Sequence, residues 1–162
     1  MNHYEGNMMA KGLKIAVVCS KFHSLFTDKM LKGAIETFSA HGGTPDNLMI
    51  VRVAGAYEIP LVVEKIASKF DAVVSLGMVI DGVTHHADNI NSVTAGAIYS
   101  ASVNTKTPII YGIVTAKTLE QGINRAGVKC GNSGEGYMKI GIEMANLHKK
   151  LDSQFRQRLS KL

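Results

Sequence analysis

Several short stretches bring together residues able to move protons or hold anions. Residues 77–86, Gly77-Met78-Val79-Ile80-Asp81-Gly82-Val83-Thr84-His85-His86, end an apolar run in glycine, hydroxyl and imidazole groups just where helical spacing resumes. Unpaired amides at a helix start favour negative charge, which makes a natural cradle for an oxyanion or a phosphate. A histidine on that first turn would reach the bound group, and histidine titrates near neutral pH. The same residues also read as a plain helix cap with two exposed histidines. A metal site built from His85, His86 and Asp88 is the weaker reading, because adjacent histidines rarely aim at one ion.

In residues 53–60, Val53-Ala54-Gly55-Ala56-Tyr57-Glu58-Ile59-Pro60, an acid precedes a proline that can open a helix. Glu58 could bind substrate hydroxyls there, or simply stabilise the helix dipole. Phe22, in Cys19-Ser20-Lys21-Phe22-His23-Ser24, could stack on a flat heterocycle, although a phenylalanine in such a place is more often core. Arg125 closes a helical stretch; its planar fork suits a phosphate, and its charge equally suits the negative end of that helix. The glycine-rich run Gly131-Asn132-Ser133-Gly134-Glu135-Gly136 follows a helix rather than a strand, so it reads as a tight turn between helices and not as a phosphate loop.

What positions these groups is an alternation of strand and helix signals. Apolar runs at 13–19, 48–53, 71–80 and 108–114 predict four strands, the first buried on both faces. Helical spacing predicts helices over 27–41, 60–70, 86–103 and 118–126, the last capped by Thr118. A glycine loop over 127–136 then leads into a final helix. The order β-α-β-α-β-α-β-α-α predicts an α/β fold, a three-layer α/β/α sandwich around a four-stranded parallel sheet with flavodoxin-like layering. Ligands of such sheets bind beyond the carboxyl ends of the strands. The chemically unusual segments follow Cys19, Val53, Ile80 and Val114, all at that edge.

The 162 residues fit one domain, read as 1–162, with hydrophobic residues at an ordinary 46%. No apolar run approaches a membrane span, and the opening residues lack the pattern of a secretory signal, so the expected location is cytoplasmic. Cys19 reads as a buried thiol, and a pairing with Cys130 is not expected. The net charge of +5 is concentrated at the end: residues 149–162 carry Lys149, Lys150, Arg156, Arg158 and Lys161 against Asp152. No basic face interleaved with aromatics is evident, which argues against nucleic acid as a partner.

Taken in order, these stretches resemble the lumazine synthases. The carriers are Gly55-Ala56-Tyr57-Glu58-Ile59-Pro60, the run from Leu76 to His86, Tyr111-Gly112-Ile113-Val114-Thr115, Thr118-Leu119-Glu120-Gln121, Arg125-Ala126-Gly127, Lys129, Gly131-Asn132, and Ile142-Glu143-Met144-Ala145-Asn146-Leu147. The likeness runs from about residue 2 to 150. It implies a transferase of riboflavin biosynthesis that condenses 5-amino-6-ribitylaminouracil with 3,4-dihydroxy-2-butanone 4-phosphate to 6,7-dimethyl-8-ribityllumazine, without a cofactor or metal. It also implies residue roles. Phe22 would stack on the pyrimidine, and Ala56, Tyr57 and Glu58 would hold the ring and ribityl chain. Met78, Val79 and Ile80 would line the pocket, Val83 and Thr84 would receive the phosphate, and His86 would shuttle protons. Tyr111 and Arg125 would come from a neighbouring subunit. The family's assembly implies a homopentamer or a multiple of it, up to an icosahedral shell. It further implies an N-terminal arm (1–12) able to add a strand to a neighbour, and riboflavin synthase as a further partner.

The chain departs from the usual family residues at Asp81 (Arg), Ala54 (Pro), His23 (Asn), Ala87 (an aromatic) and Ser133 (Lys). Asp81 would weaken anion binding if it faced inward. These departures motivate an alternative, a weakly active or non-catalytic relative that binds ligand or forms shells. The retention of Phe22, Glu58, Thr84, His86 and Arg125 favours the enzyme. A flavodoxin-like nucleotide binder shares the layering but would need a phosphate loop after the first strand. Residues 151–162 read as a basic amphipathic helical tail, with Leu147, Leu151, Phe155, Leu159 and Leu162 in a stripe that would pack on a neighbour or on the domain rather than on a membrane.

Overall fold

A computed structural model of the chain describes residues 1–81, 86–127 and 131–159, without the side chains of 86–88 and 156–159. Its strands are β1 (Ile15–Ser20), β2 (Leu48–Val53), β3 (Ala72–Ile80) and β4 (Ile109–Ala116). Its helices are α1 (Ser24–Ala40), α2 (Ile59–Ile66), α3 (His86–Thr105), α4 (Leu119–Arg125) and α5 (Ser133–Leu159). The strands form one parallel sheet in the order β2-β1-β3-β4. The expected three-layer α/β/α architecture is what forms.

All six residues of β1 are buried, so the strand needs apolar cover on both faces. On one face Ile15, Val17 and Cys19 join Leu76 and Met78 in a core closed by Phe26 and Met30 of α1 and by Met138 and Ile142 of α5. On the other, Ala16, Val18 and Val73 pack with Ile59 and Val63 of α2 and Ile98 and Ala101 of α3. In-register pairing, Ile15 with Leu48 and with Ala72, and Val73 with Ile109, aligns the strands so that their carboxyl ends share one edge.

Several boundaries shift from the sequence expectation. Helix α1 begins at Ser24 instead of Thr27, because His23 takes the left-handed conformation (φ 57°, ψ 45°) and turns the chain sharply into the helix. Helix α2 is shorter than expected and hands over to a 3-10 turn at Ala67–Lys69. Thr118 caps α4 as expected, its hydroxyl accepting from the Gln121 amide at 3.2 Å. The Asn146 side chain of α5 donates to the carbonyls of Asn7 and Met9 at 2.9 and 3.0 Å, which ties this part of the N-terminal segment to α5.

The reading of 131–136 as a turn is overturned, since Ser133 to Gly136 form the first turn of α5. Asn132 starts the helix. Its Oδ1 accepts from the Gly134 amide at 2.9 Å, while its Nδ2 donates to the Lys29 carbonyl of α1 at 2.8 Å. Gly134 faces α1 so closely that a Cβ there would collide with the Met30 backbone carbonyl. The glycine therefore marks helix-to-helix contact and not chain flexibility. Near the far end of α5, Leu151 is half-buried and Phe155 is exposed. The tail stripe thus leaves Phe155 uncovered by its own domain. Among the described residues no helix is long and apolar enough to cross a membrane.

The α1–α5 contact makes two neighbouring glycines respond oppositely to the same change. Gly134→Ala should destabilise the fold by roughly 1–3 kcal/mol, the range for overpacking. Gly136→Ala, where a Cβ meets open space, should instead gain up to about 1 kcal/mol from helix propensity. Urea unfolding midpoints of the two variants against the parent protein check both signs.

Candidate active site

Chain segments leaving β1 and β2 are tied together beyond the strands. The Lys21 amide donates to the Val53 carbonyl at 2.8 Å and the Phe22 amide to the Ala54 carbonyl at 3.0 Å, extending the ladder past the sheet edge. Beneath this junction Arg52 pairs with Asp28 of α1 at 2.7 Å. Burial raises the Cys19 thiol to about 11, against the opposing effect of the Arg52 charge. The thiol is therefore neutral and takes no part as a nucleophile.

This tie sets Phe22 at the mouth of the edge, 66% exposed, outside the core where such a residue is more often found. The His23 ring stands edge-on to it, with centroids 4.5 Å apart and planes at 67°. Left-handed backbone at His23 is uncommon for a residue with a Cβ, and asparagine and histidine tolerate it better than most. Burial lowers the His23 pKa from 6.5.

After β2, residues Ala56–Glu58 form a single 3-10 turn ahead of α2. Ala56 is buried and Tyr57 is 63% exposed, on the same edge as Phe22. Glu58 Oε2 accepts from the Gly55 amide at 2.9 Å, so the carboxylate holds its own loop closed while lying at the positive end of α2. The simpler helix-terminal role is therefore present within one chain, and it also fixes the carboxylate in place. At the end of β3, Met78 is buried with the α1–α5 core, while Val79 and Ile80 are only half-buried. Val83 and Thr84 lie outside the described residues. His86 opens α3 at this same edge, and its side chain, like the His85 and Asp88 considered for metal, lies outside them too.

Tyr111 and Arg125 sit elsewhere. Tyr111, on the edge strand β4, is 36% exposed, and its partial burial raises its phenol pKa. The Arg125 guanidinium donates through Nη1 to the Thr115 carbonyl of β4 at 3.0 Å. Strand β3 separates β4 from β1, so these groups stand two strand spacings, roughly 10 Å, across the sheet from the Phe22 loop. One chain brings Phe22, Ala56, Tyr57, Glu58, Val79 and Ile80 to a common edge, and places Tyr111 and Arg125 on the opposite flank.

On that flank the structure gives Ser133, read from the sequence only as a departure from the family's lysine, a packing role, and adds Tyr137, which the sequence reading missed. The Ser133 hydroxyl donates to the Arg125 carbonyl at 2.7 Å, joining the end of α4 to the start of α5. Tyr137, one turn further on, lies over Gly112 of β4, where a Cβ would meet its ring at 2.8 Å. The lone glycine inside an otherwise apolar strand was the available signal, because glycine in a strand often marks close approach.

The burial of His23 has a consequence for acid stability. A depressed folded-state pKa means that its contribution is present above 6.5 and is lost as pH falls below it, since the unfolded chain then takes the proton more readily. His23→Asn, which keeps a side chain tolerant of the left-handed backbone, should flatten the stability loss between pH 7.5 and 5.5. Urea unfolding of both proteins at the two pH values measures this.

Residues 12–149 match the family model for 6,7-dimethyl-8-ribityllumazine synthase, and the chain belongs to that family.

Proposed function

We propose that the protein is a 6,7-dimethyl-8-ribityllumazine synthase, a cytoplasmic transferase acting as a homopentamer or a multiple of it. The single observation that carries the reading is the convergence of Phe22, Ala56, Tyr57 and Glu58 on one sheet edge in a chain of this family. Exposed aromatics there suit a flat pyrimidine, and a fixed carboxylate suits the hydroxyls of a ribityl chain.

The 5-amino group of the ribitylaminouracil adds to the ketone of the butanone phosphate, and loss of water gives an imine. Loss of a proton and of phosphate follows, and the ring closes with loss of a second water. Each stage moves a proton near neutral pH, which suits the His86 imidazole as shuttle. The phosphate would be received by Val83 and Thr84, which precede α3 in the sequence, with Arg125 of an adjoining protomer supplying the cation. Holding amine and ketone together lowers the entropic part of the barrier. Phe22, Glu58 and the half-buried end of β3 would do that work. No step calls for a redox cofactor or a metal.

Purified protein mixed with both substrates should produce lumazine fluorescence faster than the spontaneous condensation. A rate equal to the background would overturn the reading in favour of a non-catalytic relative. His86→Ala should lower kcat by roughly 10²-fold, the low end for a positioned proton shuttle, and flatten the pH–rate profile. Arg125→Ala should mainly raise KM for the phosphorylated ketone. Native mass measurement tests the pentamer.

A further inference from the structure

We propose that Arg52 is a positioning residue for the reaction: its guanidinium joins α1 to the end of β2 and so fixes the loop that presents Phe22 to the pyrimidine. The inference rests on the stacking role given to Phe22 above.

Three residues, Lys21 to His23, connect β1 to α1, and each is bonded to a neighbouring element. The Lys21 and Phe22 amides donate to the Val53 and Ala54 carbonyls of the β2 exit at 2.8 and 3.0 Å. The His23 carbonyl accepts from the Phe26 and Thr27 amides of α1 at 2.9 and 3.1 Å. So short a connection has no slack. Any movement of α1 relative to β2 must therefore be taken up at Phe22 and at His23, whose backbone is already left-handed.

Arg52 spans this gap. It lies opposite Cys19 in the register of the sheet, so its side chain projects to the face that α1 covers. Its Nη1 meets Asp28 Oδ1, on the second turn of α1, at 2.7 Å. Its Nη2 donates, at the longer distance of 3.5 Å, to the carbonyl of Ser20, the last residue of β1. One planar fork thus touches both ends of the connection. The pair is partly in water, with side chains 31% and 57% exposed, and such pairs add little to global stability. Its effect is local: it sets where α1 starts, and with it the place of the Phe22 ring. A loop ordered beforehand loses less freedom when a flat ligand arrives, which favours binding without touching the bonds that change. The effect belongs in KM for the ribitylaminouracil and not in kcat.

The test is steady-state kinetics of the assembled enzyme with Arg52→Met, Asp28→Asn and the double variant. Each single variant should raise KM for the ribitylaminouracil about three- to fivefold, the upper end for a partly exposed pair. The double variant should be no worse than the poorer single one, because both remove the same contact. Values of kcat and of KM for the butanone phosphate should stay within about twofold of the parent. Arg52→Lys keeps the charge opposite Asp28 and should recover most of the parental KM. In a Phe22→Leu background Arg52→Met should add nothing, since the ring it positions is gone. An effect undiminished in that background, or an equal rise in both KM values, would overturn the proposal. A second measurement needs no substrate. The chain has no tryptophan, so Phe22→Trp supplies a single indole emission at the loop. Adding Arg52→Met or Asp28→Asn should lower its anisotropy and increase its quenching by acrylamide. Emission that ignores both changes would sink the mechanical link itself, whereas a parent enzyme without activity would sink only the functional reading.

Discussion

Strand β1 has no side chain in contact with water, and that constraint organises the rest of the chain. A strand buried on both faces must be sandwiched, so α1 and α5 close one side and α2 and α3 the other. Parallel pairing with β2 and β3 then leaves every strand pointing the same way. The connections that leave the carboxyl ends cannot enter the layers, which are already filled. They gather along one edge, and each has to satisfy its own backbone there. The continuation of the ladder from Lys21 and Phe22 to the β2 exit, and the Glu58 clamp on Gly55, are how this chain does so. Groups available for chemistry are thus held by the bonds that close the fold.

The seal between α1 and α5 depends on a second close approach. Asn132 spends one side chain on both helices, capping α5 through its oxygen and holding the Lys29 carbonyl of α1 through its nitrogen. With Gly134 against the Met30 carbonyl, the start of α5 is fixed to the middle of α1. That position also determines where Tyr137 falls on β4, so the packing of one helix pair reaches the flank that carries Arg125.

Much of this was legible in the sequence because burial leaves a periodic trace. The runs at 13–19 and 71–80 are apolar nearly throughout, which is what double-sided burial requires, and they became β1 and β3; the run at 48–53 became β2, an edge strand on which Met49 and Ile50 are exposed. The exits after Cys19, Val53 and Ile80 were legible for the same reason, since a parallel order sends them to one edge. The residues missed were those whose role comes from a tertiary contact. Ser133 to Gly136 carry two glycines, and local propensity favours a turn; α5 starts there because α1 approaches too closely for any larger residue. Tyr137 has no sequence partner that reveals it, and only the three-dimensional register of α5 on β4 brings it to Gly112. Phe22 ran against its usual preference because the ladder past β1 holds its backbone at the rim.

The sheet order also bears on why one chain would not suffice. Strand β4 is an edge, and β3 stands between it and the β1 exit, so no small rotation brings Arg125 to Phe22 within a protomer. At the other end of this arrangement, Phe22 and Tyr57 leave most of their rings in water. Fully burying such a ring is worth about 1.5–3 kcal/mol, and a flat ligand on Phe22 would recover only one face. Under the proposed reading, the remaining area is covered when a second protomer brings its own β4 flank against the first. Whatever binds the assembled form more tightly than the separate chains stabilises the assembly by mass action. Substrate binding and association are then linked, and the aromatic surface left open on a single chain is what couples them.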